Sequence, residues 1–144
     1  MKKLALALAL TLASTVGALA EGVTHYLAIH VDQNDPKVMN MALNNAQNVT
    51  AYYEGIGDTV VIEMVAYGPG VNMYVKGKSP VADRIATMSL EMENLSFAAC
   101  GNTMRKMSEK TGKDIVLLSE AVMVTSGVVR LMELQEQGYA YIRP

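Results

Sequence analysis

Thr59 to Ala66 reads TVVIEMVA, a run that only Glu63 interrupts with a charge. A strand with one wet face alternates apolar and polar residues; a strand covered on both faces does not. Thr24–Val31 (THYLAIHV) and Leu95–Ala99 (LSFAA) are similarly rich in apolar residues. Segments with helical spacing separate these runs. Asp35-Pro36 supplies a cap followed by a first-turn proline. After it, Val38, Ala42, Ala46, Val49 and Tyr53 form an apolar stripe, and Gly55 and Gly57 stop the helix. Ser79-Pro80 repeats the same start for a helix expected to run to about Met92. A third helix is expected over 102–110, closed by Gly112. A fourth follows Ser126, carries Val128, Leu131, Met132 and Gln135 on one face, and ends at Gly138. Ile115–Leu118, Ala121–Val124 and Tyr139–Ile142 are the remaining candidate strands, the first two divided by a bend at Ser119-Glu120. Strands alternating with helices predict an α/β fold. The expected form is a three-layer α/β/α sandwich around a mainly parallel sheet of about five strands.

The first twenty residues are of a different kind. Lys2 and Lys3 precede the apolar run Leu4–Leu12, and Ala18-Leu19-Ala20 places small residues at the two positions a signal peptidase requires. That order predicts a secretory signal peptide over residues 1–20, an α/β domain over 21–144 and a periplasmic location. The apolar run is shorter than the roughly 20 residues a membrane span needs. Losing Lys2 and Lys3 moves the formal charge from −2 to −4. With no basic run, nucleic acid is not an expected partner.

An exported chain usually pairs its cysteines. This one has a single cysteine, Cys100, which is either inert filler or a reactive thiol. Ligands of an open parallel sheet bind beyond the carboxyl ends of its strands. Four segments reach that edge: His30-Val31-Asp32, Tyr67-Gly68-Pro69-Gly70, Cys100-Gly101-Asn102-Thr103 and Thr125-Ser126-Gly127. Cys100 is expected to face the start of the helix that follows it. Unsatisfied backbone N–H groups and the nearby charges of Arg105 and Lys106 would favour a thiolate there. Asn102 or Thr103 is placed to cap that helix or to bond an anion. His30 and Asp32 would line the rim or supply a base.

Four stretches resemble the DsrE/DsrF-like family of sulfur-relay proteins, in its small stand-alone branch. They are Leu43-Asn44-Asn45-Ala46-Gln47-Asn48, Val65-Ala66-Tyr67-Gly68-Pro69-Gly70, Phe97-Ala98-Ala99-Cys100-Gly101-Asn102-Thr103, and Ser126-Gly127-Val128 running through Leu134-Gln135-Glu136-Gln137-Gly138-Tyr139 to Pro144. The resemblance covers residues 24–144. It implies a sheet of about five strands and homo-oligomers, commonly trimers or hexamers. It also implies a cysteine at the position of Cys100 that carries sulfur as a persulfide. On that reading the amides of Gly101, Asn102 and Thr103 cradle the anion, and Tyr67, Gly68, Ser126 and Gly127 wall the pocket. The partner is then a small sulfur species or a thiol-bearing protein. Unlike the cytoplasmic relay members, this chain carries a leader.

A lone thiol suits a carrier, because a persulfide needs one protein sulfur and an acceptor thiol removes the outer one. A disulfide oxidoreductase needs a resolving cysteine, and there is none. The rival reading is a non-catalytic module for small-ligand binding or assembly, with Cys100 as a wall. No cofactor is expected. A metal on Cys100 and His30 lacks further ligands, and His25 and His30 lie on opposite faces of one strand. Asn45 and Asn48 share a helix face, suited to loop, subunit or water contacts. The ten methionines after the leader are expected to fill the core. Gly55-Ile56-Gly57 and Gly68-Pro69-Gly70 do not fit a dinucleotide fingerprint.

Overall fold

The structure, a computed structural model, describes residues 22–144, so the signal peptide expected over residues 1–20 lies outside the described residues. Strands β1 (Thr24–Val31), β2 (Thr59–Ala66), β3 (Leu95–Cys100), β4 (Ala121–Val124) and β5 (Ala140–Ile142) form one sheet in the order β4-β3-β2-β1-β5. Every pairing is parallel. Helices α1 (Pro36–Gly55), α2 (Ala82–Glu91), α3 (Gly101–Thr111) and α4 (Gly127–Glu136) make the crossovers. The first three crossovers step the same way along the sheet, and the last steps back across it. Right-handed connections therefore put α1 and α2 on one face and α4 on the other. Among the described residues, no helix is long and apolar enough to cross a membrane.

The two-residue repeat of each strand divides the core accordingly. Leu27, Ile29, Ile62, Met64 and Phe97 pack with Met39 and Leu43 of α1 and Ile85 and Met88 of α2. Ala28, Val65 and Ala98 face Leu131 and Leu134 of α4. Each of the Leu, Ile, Val, Met and Phe side chains among them contributes roughly 1.5–3 kcal/mol when fully buried. The α4 face also takes Glu63, whose carboxylate accepts two hydrogen bonds from Arg130, at 2.7 and 2.6 Å. That pairing is what lets a charge sit mid-strand in β2. Tyr74 is fully buried and donates from its hydroxyl to the Met64 carbonyl.

Several expectations are corrected. Tyr67–Gly70 is not a tight loop: Gly68–Tyr74 winds as a 3-10 helix that packs back on β2 and β3. Helix α2 starts at Ala82, two residues past Pro80; the Ser79 hydroxyl accepts from Val81 N–H, so it caps a turn ahead of the helix. Of the two short candidates before α4, only Ala121–Val124 is a strand; Leu117 makes a single antiparallel bridge to Val75. The inward face of α4 is Gly127, Leu131 and Leu134, while Val128 and Met132 are exposed. The stripe of α1 is centred on Met39, Leu43 and Ala46, with Val38 at its margin. It is not the face of Asn45 and Asn48 that ties α1 to its neighbour: Arg84 of α2 donates to Asn40, Asn44 and Gln47. Core filling accounts for Met39, Met64, Met73 and Met88, but Met41, Met123 and Met132 are exposed.

Gly70 is fixed by backbone proximity. A Cβ there would lie 2.2 Å from the Val31 carbonyl oxygen and 2.9 Å from Asp32 Cα. Backbone cannot swing aside as a side chain does. Gly70→Ala is expected to destabilise the fold by about 1–3 kcal/mol, read as a lowered urea midpoint with an unchanged slope.

Candidate functional site

Strand β3 ends at Cys100, and α3 begins at the next residue. The chain can turn this sharply because Gly101 has no side chain. A Cβ on it would lie 3.0 Å from the Val124 carbonyl oxygen and 3.3 Å from the Met123 side chain. The start of α3 thus sits against the end of β4, and Asn102 N–H donates to the Thr125 carbonyl at 3.2 Å. One strand further, α4 begins at Gly127. A Cβ there would meet Tyr67 Cβ at 2.9 Å and Cys100 Cβ at 3.1 Å. Two glycines therefore allow two helix N-termini to converge on one cysteine.

The consequence is electrostatic. Cys100 is 5% exposed. Burial opposes ionisation of its thiol. Hydrogen bonding from the Thr103 hydroxyl and from the backbone N–H groups of Gly127, Thr103 and Asn102, the last shared with the Thr125 carbonyl, outweighs that opposition, so its pKa falls below the ordinary thiol value. Donors aimed at a sulfur favour its anion, as helix N-termini do generally. Thr103 is itself held: its oxygen accepts from Gly68 N–H at 3.0 Å, which leaves its proton for the sulfur. Arg105 and Lys106 do not supply the effect. Arg105 is turned toward Asn102 Oδ1 at 3.1 Å and Glu109 at 3.8 Å, and Lys106 is exposed. Ser126 is the N-cap residue of α4 but makes no side-chain cap.

Around the sulfur the wall is apolar. Val71 and Val75 are buried with Cys100, and Tyr67, Met104, Met107 and Ile115 pack against them. A groove of about 510 Å³ opens beside it, lined by Gly101, Asn102, Arg105, Met123 and Thr125 among others. Cys100 is buried and is not among the residues that line this groove.

His30 and Asp32 stand further along the same sheet edge. The His30 ring stacks on Tyr67 with centroids 4.4 Å apart, and its Nδ1 lies 2.7 Å from the Tyr141 hydroxyl. Its Nε2 is buried with no protein partner. Burial lowers its pKa; the Asp32 charge opposes this and the Arg143 charge adds to it. Burial thus favours the neutral ring. Asp32 pairs with Arg143, with contacts of 3.0 and 2.8 Å. Tyr67 packs against both the Cys100 cluster and the core under α4, so it stands between the histidine and the thiol. Tyr141 and Arg143 were missed by sequence reasoning. Their places follow from β5 pairing with β1, which no local pattern encodes; the only hint was a Tyr and an Arg two residues apart at the end of a strand. His25 belongs elsewhere, on the opposite face against Tyr53 and Asp58.

No family model matches this sequence, and no curated protein matches it. Among solved structures the chain is similar to the "Protein of Unknown Function MTH1491 from Methanobacterium thermoautotrophicum". The two share 31% identity and a TM-score of 0.71, over 83% of this chain and 99% of that one. At that identity over the whole of the other chain, this protein belongs to the MTH1491 family.

The rate at which a small alkylating agent labels the folded protein should rise with pH about a midpoint below the ordinary thiol pKa of about 8.5. Thr103→Val removes the hydroxyl donor and should move that midpoint upward. An unchanged midpoint in this variant would show that the hydroxyl does not act on the sulfur.

Proposed function

We propose that this member of the MTH1491 family is a periplasmic sulfur carrier that holds sulfur as a persulfide on Cys100. The observation that carries the reading is the convergence of the α3 and α4 N-termini on one cysteine, whose pKa they lower. The resemblance of the Cys100-Gly101-Asn102-Thr103 stretch to the DsrE/DsrF-like family points the same way.

The chemistry balances without a cofactor. The Cys100 thiolate attacks the outer sulfur of a small persulfide, R–S–SH. A Cys100 S–S bond forms, the donor S–S bond breaks, and RS⁻ leaves. An acceptor thiolate then attacks the outer sulfur of the loaded Cys100 and regenerates its thiolate. In the loaded form, the N–H groups of Asn102, Thr103 and Gly127 bond the sulfur that carries negative charge. The apolar wall of Val71, Val75 and Met104 keeps water from that sulfur.

A second reading is a binding module in which Cys100 is only wall, and the thiol's 5% exposure is what favours it. The two readings part on one experiment. Incubated with glutathione persulfide, the mature chain should gain one sulfur atom at Cys100 by intact-mass and peptide mass spectrometry. It should pass that sulfur to a low-molecular-weight thiol, and Cys100→Ser should gain none. Failure of the folded chain to take up sulfur, while a free control thiol does, would rule out the carrier and leave the binding module.

A further inference from the structure

We infer that the lysine-rich face formed by the Lys76–Lys78 turn and the end of α3 docks on the anionic surface of a lipid bilayer. Residues 22–144 contain six lysines, and five of them fall in two short segments: Lys76 and Lys78, then Lys106, Lys110 and Lys113. No basic run announces this in the sequence, because α2 and β3 separate the two segments. The fold joins them. Gly77, at φ +76°, lets the chain turn between Lys76 and Lys78, and Lys78 N–H closes the turn on the Val75 carbonyl at 3.0 Å. The turn is pinned to the chain that leaves α3. Lys76 N–H donates to the Val116 carbonyl at 2.8 Å, and Val75 bridges Leu117. Lys106 and Lys110 stand one turn apart on α3, and Lys113 directly follows its closing residue, Gly112.

A groove of about 490 Å³ lies between the two segments, rimmed by Lys76, Lys78 and Lys113 with Val116 among them. Asp114 is the one carboxylate that lines it. Val116 is 57% exposed. All five lysines are exposed, and among the described residues none is paired with a carboxylate. The arginines are committed instead: Arg84 to side chains of α1, Arg105 to Glu109, Arg130 to Glu63 and Arg143 to Asp32. Residues 22–144 hold thirteen carboxylates against ten cations, so a positive face stands on an acidic body.

The occupant follows from the kind of cation and from what stands among them. Unpaired lysines on flexible stems do not fix the geometry of one carboxylate, as an arginine fork does. They suit a surface whose negative charges are many and mobile, and anionic lipid headgroups form one. An exposed aliphatic side chain amid the lysines fits the same surface: the ammonium groups meet the headgroups while Val116 enters the layer beneath them. The acidic remainder of the chain is repelled by that surface, so one orientation is favoured. Val75 and Ile115 line this groove and also pack around Cys100, so docking here brings the thiol site close to the bilayer. The inference does not depend on what Cys100 carries.

Co-sedimentation of the mature chain with lipid vesicles tests this face. The chain should bind vesicles in which about one lipid in three is phosphatidylglycerol and the rest phosphatidylcholine, and added salt should release it. It should not bind vesicles of phosphatidylcholine alone. Lys76→Glu and, separately, Lys113→Glu should each lower the binding constant roughly tenfold. Val116→Asn should lower it several-fold with the charge unchanged. All three side chains are exposed, so these changes leave the core intact. Lys37→Glu, at the exposed sixth lysine on α1, makes the same change in net charge and should leave binding within about twofold of the wild type. A wild type that ignores phosphatidylglycerol vesicles would overturn the inference. So would equal losses in Lys37→Glu and Lys113→Glu, which would trace the binding to net charge alone. Binding to polyglutamate but not to vesicles would assign the face to an acidic protein and would also overturn it.

Discussion

In an all-parallel sheet every strand delivers its carboxyl end to the same edge, and each following helix begins there. The backbone N–H groups of those first helical turns have no partners within the helix. Here the rule is pushed further than usual, because α3 starts directly at the end of β3 and α4 starts within reach of the same residue. Gly101 and Gly127 make this possible, since any side chain at either position would occupy the space of β4, Tyr67 or Cys100. The chemistry proposed for Cys100 depends on that convergence.

The site is also a compromise between burial and charge. A thiol taken out of water loses much of what favours its ionised form. Four donors around Cys100 reverse the balance, and Thr103 can take part because Gly68 fixes its oxygen. The edge beyond Tyr67 is arranged oppositely. Burial lowers the pKa of His30, and the charges of Asp32 and Arg143 offset one another nearby. A pocket that favours an anion and a histidine whose charged form is disfavoured thus lie on two sides of one tyrosine.

Much of this was legible in the chain. TVVIEMVA and its neighbours specified a sheet covered on both faces, and Asp35-Pro36 marked the start of α1, where the Asp35 carboxylate accepts from Lys37 N–H. Cys100 was placed correctly at the end of β3. Other features were hidden because they are long-range. Asn44 and Gln47 find their role only when Arg84 arrives from α2. Val128 and Met132 look inward by periodicity together with Leu131, but the face that meets the sheet is Gly127, Leu131 and Leu134. Tyr67–Gly70 reads as a turn, but Gly68–Tyr74 forms a 3-10 helix in which Gly70 lies against Val31.

By itself the sequence determined the alternation of strands and helices, a mainly parallel sheet and the edge on which Cys100 lies, because hydrophobic period, capping and turn chemistry are local properties. The tertiary structure alone decided what surrounds the sulfur. The Gly127 N–H comes from 27 residues away, and Tyr141 and Arg143 join the edge only because α4 carries the chain back past β1. Donor groups act over a few ångströms, and which ones come that close is fixed by the order of strands in the sheet.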